Sequence, residues 1–366
     1  MSGQLDILAL EPFYGGVRRV MLDTLIRGSK HRWTLLKLPP RRIERRLTAA
    51  AHWFAEHLTR HWVGHVDLLF TSEALNLSDL NRLVPTLSHV PSVVYFHSNQ
   101  LPPTDAMGQS PLDLINLNSA AAANEIWFNS KFHLAQFMAR ATSLVSRHPE
   151  LATRNPLPDL RAKTKIFPPP IDLTAVHAAM SQNGNTRDSH NILIDLREVD
   201  VEFLNEALGI LTRRGENFQL LTIGEVRGLS EEFPRLNIDD GHDESRQAAA
   251  MAISGVYVSA HQNMFADYQA IRAVAAGCWP VVPDDGCYAE MLPVSIHDTC
   301  MYEWSPDALA DRIQDVFYRE TDPESETDVQ SQVQALLKNF SPGAACRVID
   351  ERLAELASTS HAASVR

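Results

Sequence analysis

The chain has 366 residues, 45% apolar and 21% charged, which excludes a disordered or fibrous protein and suits two globular α/β domains. Its net charge of −12 is split: residues 1–186 carry 19 Lys/Arg against 14 Asp/Glu, a net +5, and the remainder carries 14 against 31, a net −17. No apolar stretch approaches the roughly 20 residues that cross a bilayer, and the first apolar run, Leu5–Leu10, is interrupted by Asp6 and is too short for a signal peptide. The cysteines Cys278, Cys287, Cys300 and Cys346 have no C-x-x-C spacing. That pattern argues for idle thiols in a reducing cytoplasm and against a metal centre.

The first predicted strand, Asp6–Leu10, breaks at Glu11-Pro12-Phe13-Tyr14-Gly15-Gly16, and a helix is predicted over 17–27. A buried strand, a paired glycine and a helix start form half of a phosphate-binding α/β unit, although a plain tight turn has the same sequence pattern. Further strands are expected at Trp33–Leu38, Val66–Thr71, Ser92–His97, Glu125–Asn129 and Lys165–Pro168, with helices around 47–62, 111–123 and 131–141. The alternation predicts a parallel, doubly wound sheet. The polar stretch 181–186 suggests a linker near 175–190. A second series follows, with strands at Ile192–Leu196, Gln219–Ile223, Gly255–Ser259 and Trp279–Val282. Beyond an acidic segment, Glu320 to Asp328, a last helix should start at Ser341-Pro342, run to about Ala357 and leave a frayed tail. The domains expected are 1–175, 190–340 and a helix 341–358 packing back toward the first. The fold class is α/β, two Rossmann-like domains facing a cleft.

Lys37, Arg41, Arg42, Arg45 and Arg46 form a dense basic run relieved only by Glu44. It suits either nucleic-acid contact or a solvated, salt-bridged helix entry. Trp53, Phe54 and Trp62 follow on the predicted helix and read as core. His97 closes a predicted strand, and the carboxyl ends of strands are where open α/β sheets bind ligands; a histidine satisfied by backbone is the bland alternative. Asp284-Asp285 is the nearest acidic pair to a metal-binding motif, and the turn Pro283-Asp284-Asp285-Gly286 explains it better.

Seven phrases, EPFYGG (11–16), LNLSDL (75–80), YFHSNQL (95–101), FNSKF (128–132), FPPPIDL (167–173), IGE (223–225) and AGCWPVVP (276–283), together resemble the tRNA-queuosine mannosyltransferase family. That resemblance implies a GT-B fold, and a retaining glycosyltransferase that uses a nucleotide sugar, GDP-mannose, without metal or other cofactor. The donor phosphate would help as base, and the acceptor would be queuosine in tRNA. It implies an acceptor-binding N-terminal and a donor-binding C-terminal domain, in keeping with the charge split.

By the same resemblance His97 lies beside the transferred sugar. Gly15 and Gly16 pass close to the donor diphosphate, where Arg18 either faces a phosphate or sits at the surface. Asn99, Gln100, Arg41, Arg42, Arg45 and Arg46 serve the acceptor. Arg197, Gly224, Glu225, Tyr288 and Glu290 serve the donor. Four positions depart from the family pattern. Ser98 stands where Glu is usual, and Glu202 falls at a diphosphate-binding Lys. Met264 and Arg272 replace two glutamates, with Asp267 a candidate displaced carboxylate and Arg272 a candidate partner for a phosphorylated or acidic group on a different donor. These departures keep open a second reading, a catalytically inactive relative that binds tRNA or a protein partner.

Overall fold

The computed structural model describes residues 3–61, 64–105, 110, 112–148, 151, 155–183, 187–197, 199–225, 227–239, 243–319 and 323–364. Trp62 and the linker residues 184–186 lie outside them. The chain divides into two units, 1–170 with 342–366, and 171–341.

The N-terminal unit holds a six-stranded parallel sheet of β1 (Asp6–Glu11), β2 (Arg32–Lys37), β3 (Leu68–Ser72), β4 (Ser92–Phe96), β5 (Glu125–Phe128) and β6 (Thr164–Ile166), in the order β2-β1-β3-β4-β5-β6. Its central strands β3, β4 and β5 are buried along their whole length and mostly apolar because both faces are covered. Along β1, Leu8 and Leu10 point into one core with Phe54, Leu58 and Phe137. Ile7 and Ala9 point into the other with Met21, Leu25 and Trp127. The helix Pro342–Ser364 belongs to this unit and completes that second core through Cys346, Ile349, Leu353 and Leu356. It continues past Ala357, so the tail expected there is helical as far as Ser364.

The C-terminal unit repeats the plan with β7 (Asp188–Asp195), β8 (Gln219–Ile223), β9 (Arg235–Asp239), β10 (Ser254–Val258), β11 (Trp279–Pro283) and β12 (Met301–Tyr302), in the order β12-β11-β10-β7-β8-β9. The register of β10 against β7 shifts between Ser254 and Val256. Gly255 permits the shift, since a Cβ there would lie 2.4 Å from Ser189 Cα. The stretch 175–190 is not an interdomain linker. Ile171, Leu173 and Val176 pack into the C-terminal core, Thr174–Asn183 is helical and β7 begins at Asp188.

In each sheet the strand order reverses once, between β1 and β3 and between β7 and β10. Doubly wound sheets bind ligands outside the carboxyl ends of the strands at such a reversal. The candidate residues can therefore be sought at the ends of β1, β3 and β4 in one unit, and of β7 and β10 in the other.

Candidate functional site

At the reversal of the N-terminal sheet, β1 delivers Glu11, β3 leads into Glu73 and β4 leads into His97. Glu73 is fully buried and holds the group together. Its carboxylate accepts hydrogen bonds from the backbone N–H of His97 and of Ser98, both at 3.1 Å, and from Ser98 Oγ at 2.8 Å. It also forms an ion pair with Arg18. Burial pushes this carboxyl up, but Arg18 and the donated hydrogen bonds outweigh it and hold the group at about 2. Arg18 is not a surface residue: its side chain is 11% exposed, and Nη2 also donates to Ser98 Oγ at 3.0 Å.

Glu11 has the opposite character. Burial raises its carboxyl to about 7, against the pull of Arg18. It accepts from Phe13 N at 2.7 Å and Ser72 Oγ at 3.0 Å. Two carboxyls at neighbouring strand ends are thus driven apart, Glu73 ionised and Glu11 titrating near neutrality.

His97 is 8% exposed, with its ring 4.7 Å from that of Tyr95. Burial pushes its imidazole down to about 3, so it is neutral at pH 7. Its buried Nδ1 has no hydrogen-bond partner among the described residues, and neither has Asn99 Nδ2. The loop carrying them is pinned at several points. Asn99 Oδ1 accepts from Leu101 N at 3.0 Å, Gln100 N donates to Asn116 Oδ1 at 3.0 Å, and Gln100 Nε2 donates to Ser98 Oγ at 3.0 Å. Asn116 Nδ2 donates to Glu73 O at 2.8 Å.

Gly15 is required by packing, because a Cβ there would lie 2.4 Å from Pro40 Cγ. Gly16 is required by conformation, at φ +52. The helix Gly16–Gly28 that follows has no side-chain cap and no acidic residue in its first turn, so its N-terminal positive potential is undiminished. In the basic run, Arg41, Arg42 and Arg45 are exposed. Arg46 donates to Pro39 O at 2.8 Å, and Lys37 Nζ lies 4.0 Å from the Tyr14 ring. The helix Ile43–Arg60 splits its aromatics: Phe54 is fully buried, but Trp53 is 42% exposed and is not core.

At the reversal of the C-terminal sheet, Arg197 Nε donates to Asp195 Oδ1 at 2.8 Å in an ion pair. Gly224 takes φ +77, and a Cβ there would lie 2.9 Å from Arg197 Cγ. Across the reversal His261 Nε2 is 3.3 Å from Asp195 O. Glu225 and Glu202 are exposed.

Several other candidates of this unit have partners within it. Asp267 is not a displaced sugar-facing carboxylate. It caps the helix Tyr268–Ala275 and accepts from Tyr257 OH at 3.0 Å and Tyr288 OH at 2.9 Å. Tyr288, wholly buried, shares its other hydrogen bond with Ser259 Oγ. Arg272 is 8% exposed, and Nη1 donates to Gln247 Oε1 at 3.0 Å and Gln269 Oε1 at 3.2 Å. It is a buried cation whose Nη1 is held by side-chain amides of its own unit. Met264 O accepts from Cys287 N at 2.9 Å, and Glu290 N donates to Cys287 O at 3.1 Å. All four cysteines are free and buried. Among the described residues no group of three or more His, Cys, Asp or Glu could hold a metal ion, and no helix is long and apolar enough to cross a membrane.

The sequence reading gave Glu73 and His261 no place and Glu11 no role. The signal for Glu73 was a lone acid directly after the buried strand Leu68–Ser72.

Solved structures share this architecture. A glycosyltransferase from Rickettsia africae has a TM-score of 0.62 at 14% identity, covering 96% of this chain and 98% of that one. HepE from Anabaena, solved with UDP and glucose, has a TM-score of 0.64 at 13% identity, covering 96% and 100%. Sucrose-phosphate synthase from Thermosynechococcus elongatus has a TM-score of 0.66 at 13% identity, covering 97% and 100%. The fold is that of the GT-B glycosyltransferases. The sequence narrows the class: residues 6–171 match the family described as tRNA-queuosine alpha-mannosyltransferase N-terminal. The tRNA-queuosine alpha-mannosyltransferase of Drosophila melanogaster is 26% identical over 309 residues, 78% of this chain and 81% of that protein. The likeness to the tRNA-queuosine alpha-mannosyltransferases thus lies in the family match of residues 6–171 and in the relative of similar length.

Proposed function

We propose that this protein transfers a sugar, mannose from GDP-mannose, to queuosine in tRNA with retention at the anomeric carbon. One observation carries the reading: a neutral, buried His97 with an unpartnered Nδ1 at the carboxyl end of β4. A buried nitrogen left unpaired costs about 1–3 kcal/mol, and a sugar hydroxyl or the departing oxygen satisfies it. Glu73 fixes the backbone of His97 and Ser98, so the imidazole is positioned before any ligand arrives. The anomeric carbon breaks its bond to the diphosphate oxygen and bonds to the acceptor hydroxyl oxygen on the same face. The hydroxyl proton passes to the departing phosphate. Gly15, Gly16 and the uncapped helix start favour the diphosphate charge. Asn99, Gln100 and the basic residues Arg41, Arg42, Arg45 and Arg46 serve the tRNA; in the C-terminal unit Arg197, Gly224, Glu225 and Glu290 serve the donor, and Tyr288 acts from behind by holding Asp267.

The pairing of Arg197 with Asp195, the exposed acid Glu202 and the inward Arg272 favour a second reading. In it the chain keeps the fold, binds tRNA or a protein partner and transfers nothing. Each missing charged contact removes about 1.5–3 kcal/mol of donor binding, so two move a micromolar site toward millimolar. Calorimetric titration of the full chain with GDP-mannose, GDP and UDP-sugars separates the two. Micromolar binding supports transfer. No binding at millimolar nucleotide overturns it in favour of the second reading.

A further inference from the structure

Trp53 breaks the pattern of its helix. It sits among buried neighbours, with Phe54 and Ala55 both in the core, yet 42% of its own surface is open. Its indole is held in place: the ring stacks on His57 at 5.3 Å with an interplanar angle of 10°, and its edge meets Phe54 at 5.2 Å. His57 in turn lies 5.1 Å from His61. The spacing places Arg46, Trp53, His57 and Arg60 on one stripe of the helix, at intervals of three, four or seven residues, with Arg42 capping the helix just before it. Arg46 and Trp53 are two turns apart, about 10 Å along the axis. Within the stripe's last turn Glu56 is neutralised by Arg60 at 2.8 Å. Exposed Arg41, Arg42 and Arg45 flank its start.

An open, pre-ordered aromatic face beside a row of guanidinium groups matches single-stranded RNA. Cations follow the phosphates, and an unstacked base lies on the ring. A duplex offers no free base face, and an acidic peptide leaves the ring unused. We propose that Trp53 is the stacking platform for an unpaired base of the bound tRNA, and that the stripe from Arg46 to Arg60, with the arginines at its start, is the tRNA-binding face. The inference rests on the reading of tRNA as acceptor and adds the surface and the mode of contact.

Stacking releases no counterions, whereas phosphate contacts do. The two contributions therefore separate in a salt titration of tRNA binding by fluorescence anisotropy with the full chain. Trp53→Ala should weaken binding on the order of tenfold at every salt concentration, with the slope of log K against log salt unchanged. Trp53→Phe should recover most of the loss. Joint charge reversal of Arg41, Arg42, Arg45 and Arg46 should weaken binding and flatten the slope. Far-ultraviolet circular dichroism of each variant should match the parent, which shows that the fold is retained. If Trp53→Ala binds as the parent does while the arginine variant is weakened, the stacking inference falls and the tRNA reading stands. If both bind as the parent does, this face does not bind tRNA, both statements about it fail, and a protein partner becomes its better occupant.

Discussion

Glu73, Arg18, Glu11 and His97 share one small volume with different charge states, and each makes its own demand on stability. Glu73→Ala removes the ion-pair partner of the Arg18 guanidinium and frees two backbone N–H groups. Breaking a buried pair on one side costs about 3–5 kcal/mol, so the urea midpoint should fall by that equivalent. The carboxyl of Glu73 stays ionised from its ordinary 4.5 down to about 2. Its contribution is therefore complete above 4.5 and is lost as pH falls through 2. The imidazole of His97 takes a proton near 6.5 when unfolded but only near 3 when folded, so it also removes stability on the acid side. Glu11 acts in reverse: its folded carboxyl keeps the proton to about 7, while the unfolded one loses it at 4.5. Stability then declines as pH rises through that window. Glu11→Gln should abolish the decline, gaining on the parent between about pH 4.5 and about pH 8 in urea titrations. A constant difference across that range would contradict the burial of an ionisable Glu11.

The element with most leverage on the N-terminal unit is its last helix, Pro342–Ser364. Asp350 accepts from Lys30 N at 2.7 Å and from Ser29 Oγ, and Arg352 pairs with Glu125 beneath the sheet. Leu353 is fully buried against β1 and the helix Gly16–Gly28. Leu353→Ala should cost about 3 kcal/mol by chemical denaturation, and a change within error would place the helix outside the core. Its start was legible from Ser341-Pro342 because a cap and an N1 proline are local signals. The helix at Ile43 gave no such signal. Its N-cap is Arg42 at φ 52 with no side-chain bond, so the sequence reading began it four residues late. β9 escaped because Arg235–Asp239 is a polar edge strand with Leu236 exposed, and β12 is two residues long. Asp267 was misplaced for a related reason. Before an apolar helix a carboxylate reads equally as cap or ligand, and Tyr257 and Tyr288, ten and twenty-one residues away, decide for the cap.

At the scale of the whole chain, the alternating strands and helices made both sheets legible, because a strand buried on two faces has almost no freedom of composition. The site was half legible. His97 and the glycine pair sit in distinctive phrases, but Glu73 and Glu11 acquire meaning only when the sheet order brings the ends of β1, β3 and β4 together. The charge division, +5 against −17, predicts that tRNA affinity resides in the basic N-terminal unit and falls steeply with salt. A salt-independent affinity, measured by anisotropy, would contradict that assignment. Sugar transfer itself is tested most directly by incubating the purified full chain with labelled GDP-mannose and queuosine-containing tRNA and measuring label on the tRNA. The account predicts incorporation by the parent and none by a His97→Ala variant that keeps the parent's far-ultraviolet circular dichroism. No incorporation by the parent, or equal incorporation by the variant, would contradict it.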